Sequence, residues 1–166
     1  MFTKKDNLFV NPQGIGDLAI PLKYFLINFL KNSNYKNYFI IQYKSQKMII
    51  EKYCISEVII FFSEIFYNLN FKNIFKIISL SKKKFENVFI DPNINIFKAI
   101  FLSLIVKSNK KIYKKFFLHN IFFDDSPSYD PIKRKEYYYK LNKKYNSINY
   151  DLTNKKNNQL KKNIIG

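Results

Sequence analysis

The segment Asn11-Pro12-Gln13-Gly14-Ile15-Gly16-Asp17 brings together residue types that do chemistry, between a short apolar run and a longer one. Two glycines one residue apart permit φ > 0 and let a ligand approach the backbone closely. The free N–H groups of a following helix would point into the same space. An anion or a sugar hydroxyl can bind such a loop, with Gln13, Gly14 and Gly16 as the substrate contacts. Asp17 has two readings, a carboxylate facing a ligand or the N-cap of the helix that starts there. The loop is a poor dinucleotide fingerprint. Position 19, where a third glycine belongs, is Ala19, a permitted variant, but no acidic residue closes the second strand, which runs out in Tyr43-Lys44. No Gly-Lys-Ser/Thr follows, which excludes a phosphate-cradling P-loop.

Other candidates are weaker. Asp91 ends a strand just before Pro92, at the rim where ligands bind, and is either a contact for ligand hydroxyls or a turn-starting Asp-Pro. Asp124 and Asp125 resemble a metal-holding acid pair, yet Pro127, Asp130 and Pro131 make the segment read as a turn. His119 has no second histidine to share a metal with and reads as packed or capping. No metal is expected. Lys133-Arg134-Lys135 is a solvated helix face, a phosphate-reading patch or a nucleic-acid patch.

The net charge of +17 comes from 29 Lys plus Arg against 12 Asp plus Glu, and Arg134 is the sole arginine. Surfaces built to grip phosphate favour arginine, whose planar fork binds oxygens in pairs. The abundance of Lys, Asn, Ile, Phe and Tyr, with Ala, Gly and Trp scarce, instead follows A+T-rich coding. The charge still attracts anionic membranes and phosphorylated partners. A nucleic-acid-binding module is therefore the alternative reading rather than the first, and a stand-alone nucleotide-binding domain is another. Cys54 has no cysteine to pair with, which fits a reducing, cytoplasmic compartment. The apolar stretches Leu18–Leu30 and Ile94–Val106 are interrupted by Lys23 and Lys98 and are too short to span a bilayer.

The elements that must position these residues alternate. Strand-like runs fall at Leu8–Val10, Tyr38–Tyr43, Glu57–Phe62, Asn87–Ile90 and Lys111–Tyr113. Between them, helical stretches fall at Leu18–Lys31, Ser45–Cys54, Phe71–Lys84 and Ile94–Val106, with a further basic helix at Ile132–Ser147. Strands that read as unbroken apolar runs imply a mostly parallel sheet with helices on both faces. The fold class is α/β, Rossmann-like and doubly wound, with ligands beyond the carboxyl ends of the strands.

The runs LFVNPQGIGDLAIPLKYFLINFLK and YFIIQYKSQKMIIEKYCISEVIIF resemble the amino-terminal half of the family 9 glycosyltransferases, the lipopolysaccharide heptosyltransferases. Ile55-Ser56-Glu57-Val58-Ile59-Ile60 is similar to that family's "x-V-D-x-V-I" segment, and Phe85–Asp91 to its later "Y-D-x-V-I-D" strand. Lys162-Asn163-Ile164-Ile165-Gly166 looks like the start of the family's second domain. The resemblance implies two facing domains, with residues 1–147 forming the acceptor side and 148–166 a linker into a donor-binding domain. It implies an inverting glycosyltransferase in which Asp17 is the general base. Its partners would be a lipopolysaccharide-core acceptor and a nucleotide-sugar such as ADP-heptose, the latter a co-substrate held mainly by the other half, with no resident cofactor. Such a protein would be cytoplasmic and peripheral at the inner membrane face. On this reading the 166 residues by themselves transfer no sugar.

Overall fold

The computed structural model describes residues 5–11, 14–32, 34–55, 57–66 and 70–145. The proposed linker and second-domain start at 148–166 lie outside the described residues, as does Gln13. Five strands, β1 (Lys5–Asn11), β2 (Tyr35–Ile41), β3 (Glu57–Phe62), β4 (Lys84–Ile90) and β5 (Lys107–Ile112), form one sheet in the order β3-β2-β1-β4-β5. Every pairing is parallel, which is the Rossmann-like arrangement expected. The order reverses between β1 and β4, so their carboxyl ends define the ligand crevice of such a sheet.

Alternation along the central strands feeds two cores. Leu8 and Val10 of β1 face one way and join Tyr38, Ile40, Val88 and Ile90. This side is covered by α4 (Phe71–Lys82), α5 (Ile96–Ile105) and the short α6 (His119–Phe122), through Leu80, Ala99, Leu102 and Phe122. Phe9 faces the other way with Phe39 and Phe89. There it meets α1 (Ile15–Pro21) and α2 (Ile27–Leu30), the π-turn Leu22–Leu26 between them, α3 (Lys44–Lys52) and α7 (Arg134–Tyr145). Phe9 is the hub: Phe39 and Phe89 stack on it at centroid distances of 5.0 and 5.1 Å, and Phe25 and Phe29 meet it edge-on at 6.1 and 5.3 Å.

Helix starts follow local hydrogen bonding. The Asn70 side chain accepts from the Asn73 N–H before α4, and Asn95 from the Phe97 N–H before α5. The Gln46 side chain reaches back to accept from the Gln42 and Tyr43 N–H groups before α3. The Glu57–Phe62 strand sits where the apolar run placed it. Two others are longer than their apolar runs, because β1 begins at Lys5 and β4 at Lys84, where polar residues extend the pairing. The last strand is displaced: β5 occupies the lysine-rich Lys107–Ile112, where an apolar run predicts only Lys111–Tyr113. It is an edge strand, where charged side chains reach water and blunt the unpaired edge.

Candidate active site

The loop after β1 leads into α1 at the crevice, and the helix begins one turn earlier than its apolar pattern suggests. Gly14 is the N-cap, extended at φ −63° and ψ 174°, and its carbonyl accepts from the N–H groups of Asp17 and Leu18. Asp17 is therefore inside the first turn and is not the N-cap. Neither Gly14 nor Gly16 has positive φ, so the expectation that the glycines serve a left-handed turn is corrected. What they supply is room. A Cβ on Gly16 would meet nothing within 4 Å, and one on Gly14 would find Asp17 Oδ2 at 3.9 Å.

Pro21 shapes the next step. It stands four residues after Asp17, and having no N–H it cannot donate to the Asp17 carbonyl as a helix would require. The helix continues through the π-turn Leu22–Leu26, in which the Ile27 N–H bonds the Leu22 carbonyl. Arg134, at the first turn of α7, meets the carbonyl so released. Its Nη2 donates to Asp17 O at 3.4 Å, while its Nη1 donates to Asp17 Oδ1 at 2.6 Å. The guanidinium thus grips both the backbone and the side chain of one residue, as its fork geometry allows. Among the described residues nothing donates to Oδ2, and the Asp17 side chain remains 34% exposed.

Arg134 is accordingly not part of a solvated basic patch, since its side chain is 16% exposed. Lys133 and Lys135 on either side are exposed, so the charge run divides. The tyrosines that follow divide as well. Tyr137 and Tyr138 are buried under the sheet edge and Tyr139 faces solvent.

Asp91 sits at the end of β4 beside the crevice, as expected, but is 5% exposed rather than open to acceptor. Its Oδ2 accepts from Asn11 Nδ2 at 2.8 Å and from the Tyr138 hydroxyl at 2.7 Å, and its Oδ1 from the Asn93 N–H at 2.9 Å. The Asp91 N–H bonds the Val10 carbonyl. The residue therefore ties β1, β4 and α7 together at the switch point, and the turn-starting reading describes it. The Tyr129 hydroxyl, donating to Asn93 Oδ1 at 2.6 Å, extends the network to the loop before α7. Beneath it lies a cavity of about 20 Å³ bordered by Asn11, Pro21, Tyr137 and Tyr138, the size of one water. A larger groove of about 450 Å³ runs between α1 and α3. Ile15, Leu18, Ala19, Ile49 and Tyr53 line it, with Lys23 and Lys52 at its sides, and Ile15 brings one end to the glycine loop. Its size is that of a small-ligand site.

Burial pushes the Asp91 carboxyl above the usual carboxylate range, against the hydrogen bonds from Tyr138 and Asn93. The native state therefore holds its proton at pH values where the unfolded chain has released it. Stability attributable to Asp91 is complete in acid and falls as pH rises from the ordinary carboxylate range through the raised value. Asp91→Asn removes that slope. Urea-denaturation midpoints of the two proteins, taken from about pH 4 to pH 8, should converge or cross as pH rises, because the buried charge is absent from the variant. Parallel profiles would show that Asp91 is not the titrating group. Asp125 acts in the opposite sense and is common to both proteins. Its burial is outweighed by bonds from Lys144 and Tyr145, which hold its carboxyl low.

The remaining candidates are structural. Asp124 Oδ2 accepts from the N–H of Lys111, 13 residues upstream on β5, so it ties its segment to the edge strand rather than closing a local turn. The His119 ring lies edge-on to Phe116 with Nδ1 2.5 Å from the Phe116 carbonyl oxygen. No group of three His, Cys, Asp or Glu side chains able to hold a metal occurs among the described residues. Sequence reading named Asn11 in the loop and Arg134 in a basic run, but missed that Arg134 holds Asp17 and that Asn11 and Tyr138 hold Asp91. The available signal was that a chain using lysine almost everywhere spends its sole arginine at 134.

No protein-family model matches the chain, and no curated protein matches it in sequence. Solved structures do match it in fold. An E. coli heptosyltransferase WaaC with ADP aligns over 84% of this chain and 47% of its own, at 12% identity and a TM-score of 0.58. The same enzyme with ADP-2-deoxy-2-fluoro heptose aligns over the same shares, at 12% identity and a TM-score of 0.55. The chain spans about half the length of that enzyme. Its fold is similar to that of about half of the enzyme.

Proposed function

We propose that this chain is the acceptor-side half of an inverting glycosyltransferase that moves a sugar, such as the heptose of ADP-heptose, onto a lipopolysaccharide-core or related surface-glycan hydroxyl. The observation carrying the reading is Asp17: a carboxylate in the first turn of α1 at the crevice, anchored through Oδ1 and its own carbonyl by Arg134, with Oδ2 turned toward glycine-lined space. An alcohol is a weak nucleophile. As its oxygen bonds to the anomeric carbon, Asp17 Oδ2 takes the hydroxyl proton, and the nucleoside diphosphate leaves from the opposite face with the bonding electrons. Configuration inverts. The anchoring by Arg134 fixes the carboxylate before substrate arrives, which is where positioned catalysis gains most of its advantage. The groove between α1 and α3 leads away from the same loop and supplies acceptor-binding surface.

Acceptor binding by Gly16→Ala tests this. Because a Cβ there meets nothing, the substitution should leave folding intact or raise stability by up to about 1 kcal/mol. If acceptor lies against the loop, the same methyl should weaken binding of a lipopolysaccharide inner-core oligosaccharide, measured by calorimetry, by about tenfold. Undiminished affinity would remove the glycine loop from the site. Tight, steeply salt-dependent binding to generic DNA with no oligosaccharide binding would favour the nucleic-acid module instead.

A further inference from the structure

The sheet face covered by α4, α5 and α6 is greasy on its outer side as well as its inner one. On α4, Phe71, Phe75 and Ile78 recur at helical spacing away from the core, and on α5 Phe97, Phe101 and Leu104 do the same. Phe117, Leu118 and Ile121 continue the surface around α6. Phe71, Phe97 and Phe117 are 83%, 80% and 97% exposed. Exposed aromatic residues grouped on successive elements mark an interaction surface.

The charge around them indicates the partner. Residues 65–85 and 92–123 contain eleven lysines and no Asp or Glu. Lys72, Lys82, Lys98, Lys107 and Lys115 are exposed. A second copy of this face would bring like charges together, whereas protruding phenylalanines ringed by lysines match an apolar layer beneath an anionic one. In a parallel sheet each helix returns against the strands, so α4 and α5 begin at the carboxyl edge of the sheet. Their first-turn residues Phe71 and Phe97 therefore lie at the edge that carries Asp17.

We infer that the α4–α5–α6 face docks on an anionic lipid bilayer, with Phe71, Phe75, Phe97 and Phe101 entering the headgroup–acyl boundary and the lysines contacting lipid phosphates. The inference stands on this face alone and does not require the glycosyltransferase reading. No helix among the described residues is long and apolar enough to cross a membrane, so the contact is one of lying on the surface.

The chain contains no tryptophan, so Phe97→Trp installs a single reporter. With vesicles of phosphatidylglycerol and phosphatidylethanolamine its emission should shift to the blue and be quenched by brominated acyl chains, with neither change on phosphatidylcholine. In co-sedimentation, Phe71→Ser/Phe75→Ser should lower the affinity of the protein for anionic vesicles at least tenfold with an unchanged circular-dichroism melt. Absence of vesicle binding, binding insensitive to both the serine pair and brominated lipid, or a dimer by light scattering that the serine pair dissolves while vesicle binding stays nil would each overturn the inference.

Discussion

In a two-lobed enzyme whose acceptor side is this chain, Asp17→Asn should lower turnover by about 10²–10⁴-fold, with the acceptor KM changed little. The amide keeps the carboxylate's shape and can still accept from Arg134 through one oxygen, but it cannot take a proton. Converting the 2.6 Å contact of Arg134 with Asp17 to a neutral hydrogen bond should cost about 1–2 kcal/mol of stability. A modest fall in melting temperature with a large fall in rate is thus the expected pair of results. Initial rates of sugar transfer from ADP-heptose, followed by release of ADP, provide the measurement. Turnover within twofold of the parent would remove Asp17 as the base and leave it as a brace between α1 and α7.

The largest expected effect on stability lies elsewhere. Phe9→Ala should destabilise the fold by about 3–5 kcal/mol in urea denaturation, a large share of the roughly 5–15 kcal/mol that holds a domain together. Phe9 is 2% exposed and touches four other phenylalanines contributed by β2, β4 and the helical segment after β1. Removing the ring leaves a void bounded by rigid strands on either side, which relax less readily than a loop would. Phe71→Ala, by contrast, deletes a ring that is already in water and should change stability by no more than about 0.5 kcal/mol. A loss below about 1 kcal/mol for Phe9→Ala would mean that the aromatic hub is not a core.

The strand–helix alternation was legible because buried parallel strands have to be apolar on both faces. Glu57–Phe62 and the central parts of β1, β2 and β4 are such runs. The edge strand β5 was only partly legible, since Lys107, Asn109 and Lys110 face solvent and carry no apolar period. Pro21 was visible, but what it does was not: a proline near a helix end usually signals termination, and here a π-turn absorbs it. The site itself divides the same way. A Gly-x-Gly-Asp loop after a strand can be recognised locally, whereas the Arg134 contact closes over 117 positions and depends on which face α7 chooses. Asp91 was placed at its strand end with an acceptor contact and a turn both open, and its depth was not legible, because nothing near it in sequence announces that Tyr138 will cover it.

The distance between Asp17 and Arg134 along the chain has a consequence for biosynthesis. A ribosome releases the glycine loop well before α7 has been made, so the aspartate emerges with its carbonyl unclaimed and its carboxylate unanchored. The strands and the phenylalanine hub can assemble in that interval, since β1 to β4 are complete by Ile90. The grip of Arg134 on Asp17 is then the last contact acquired, and a nascent polypeptide stalled before its sole arginine would be folded at heart with that aspartate still unheld.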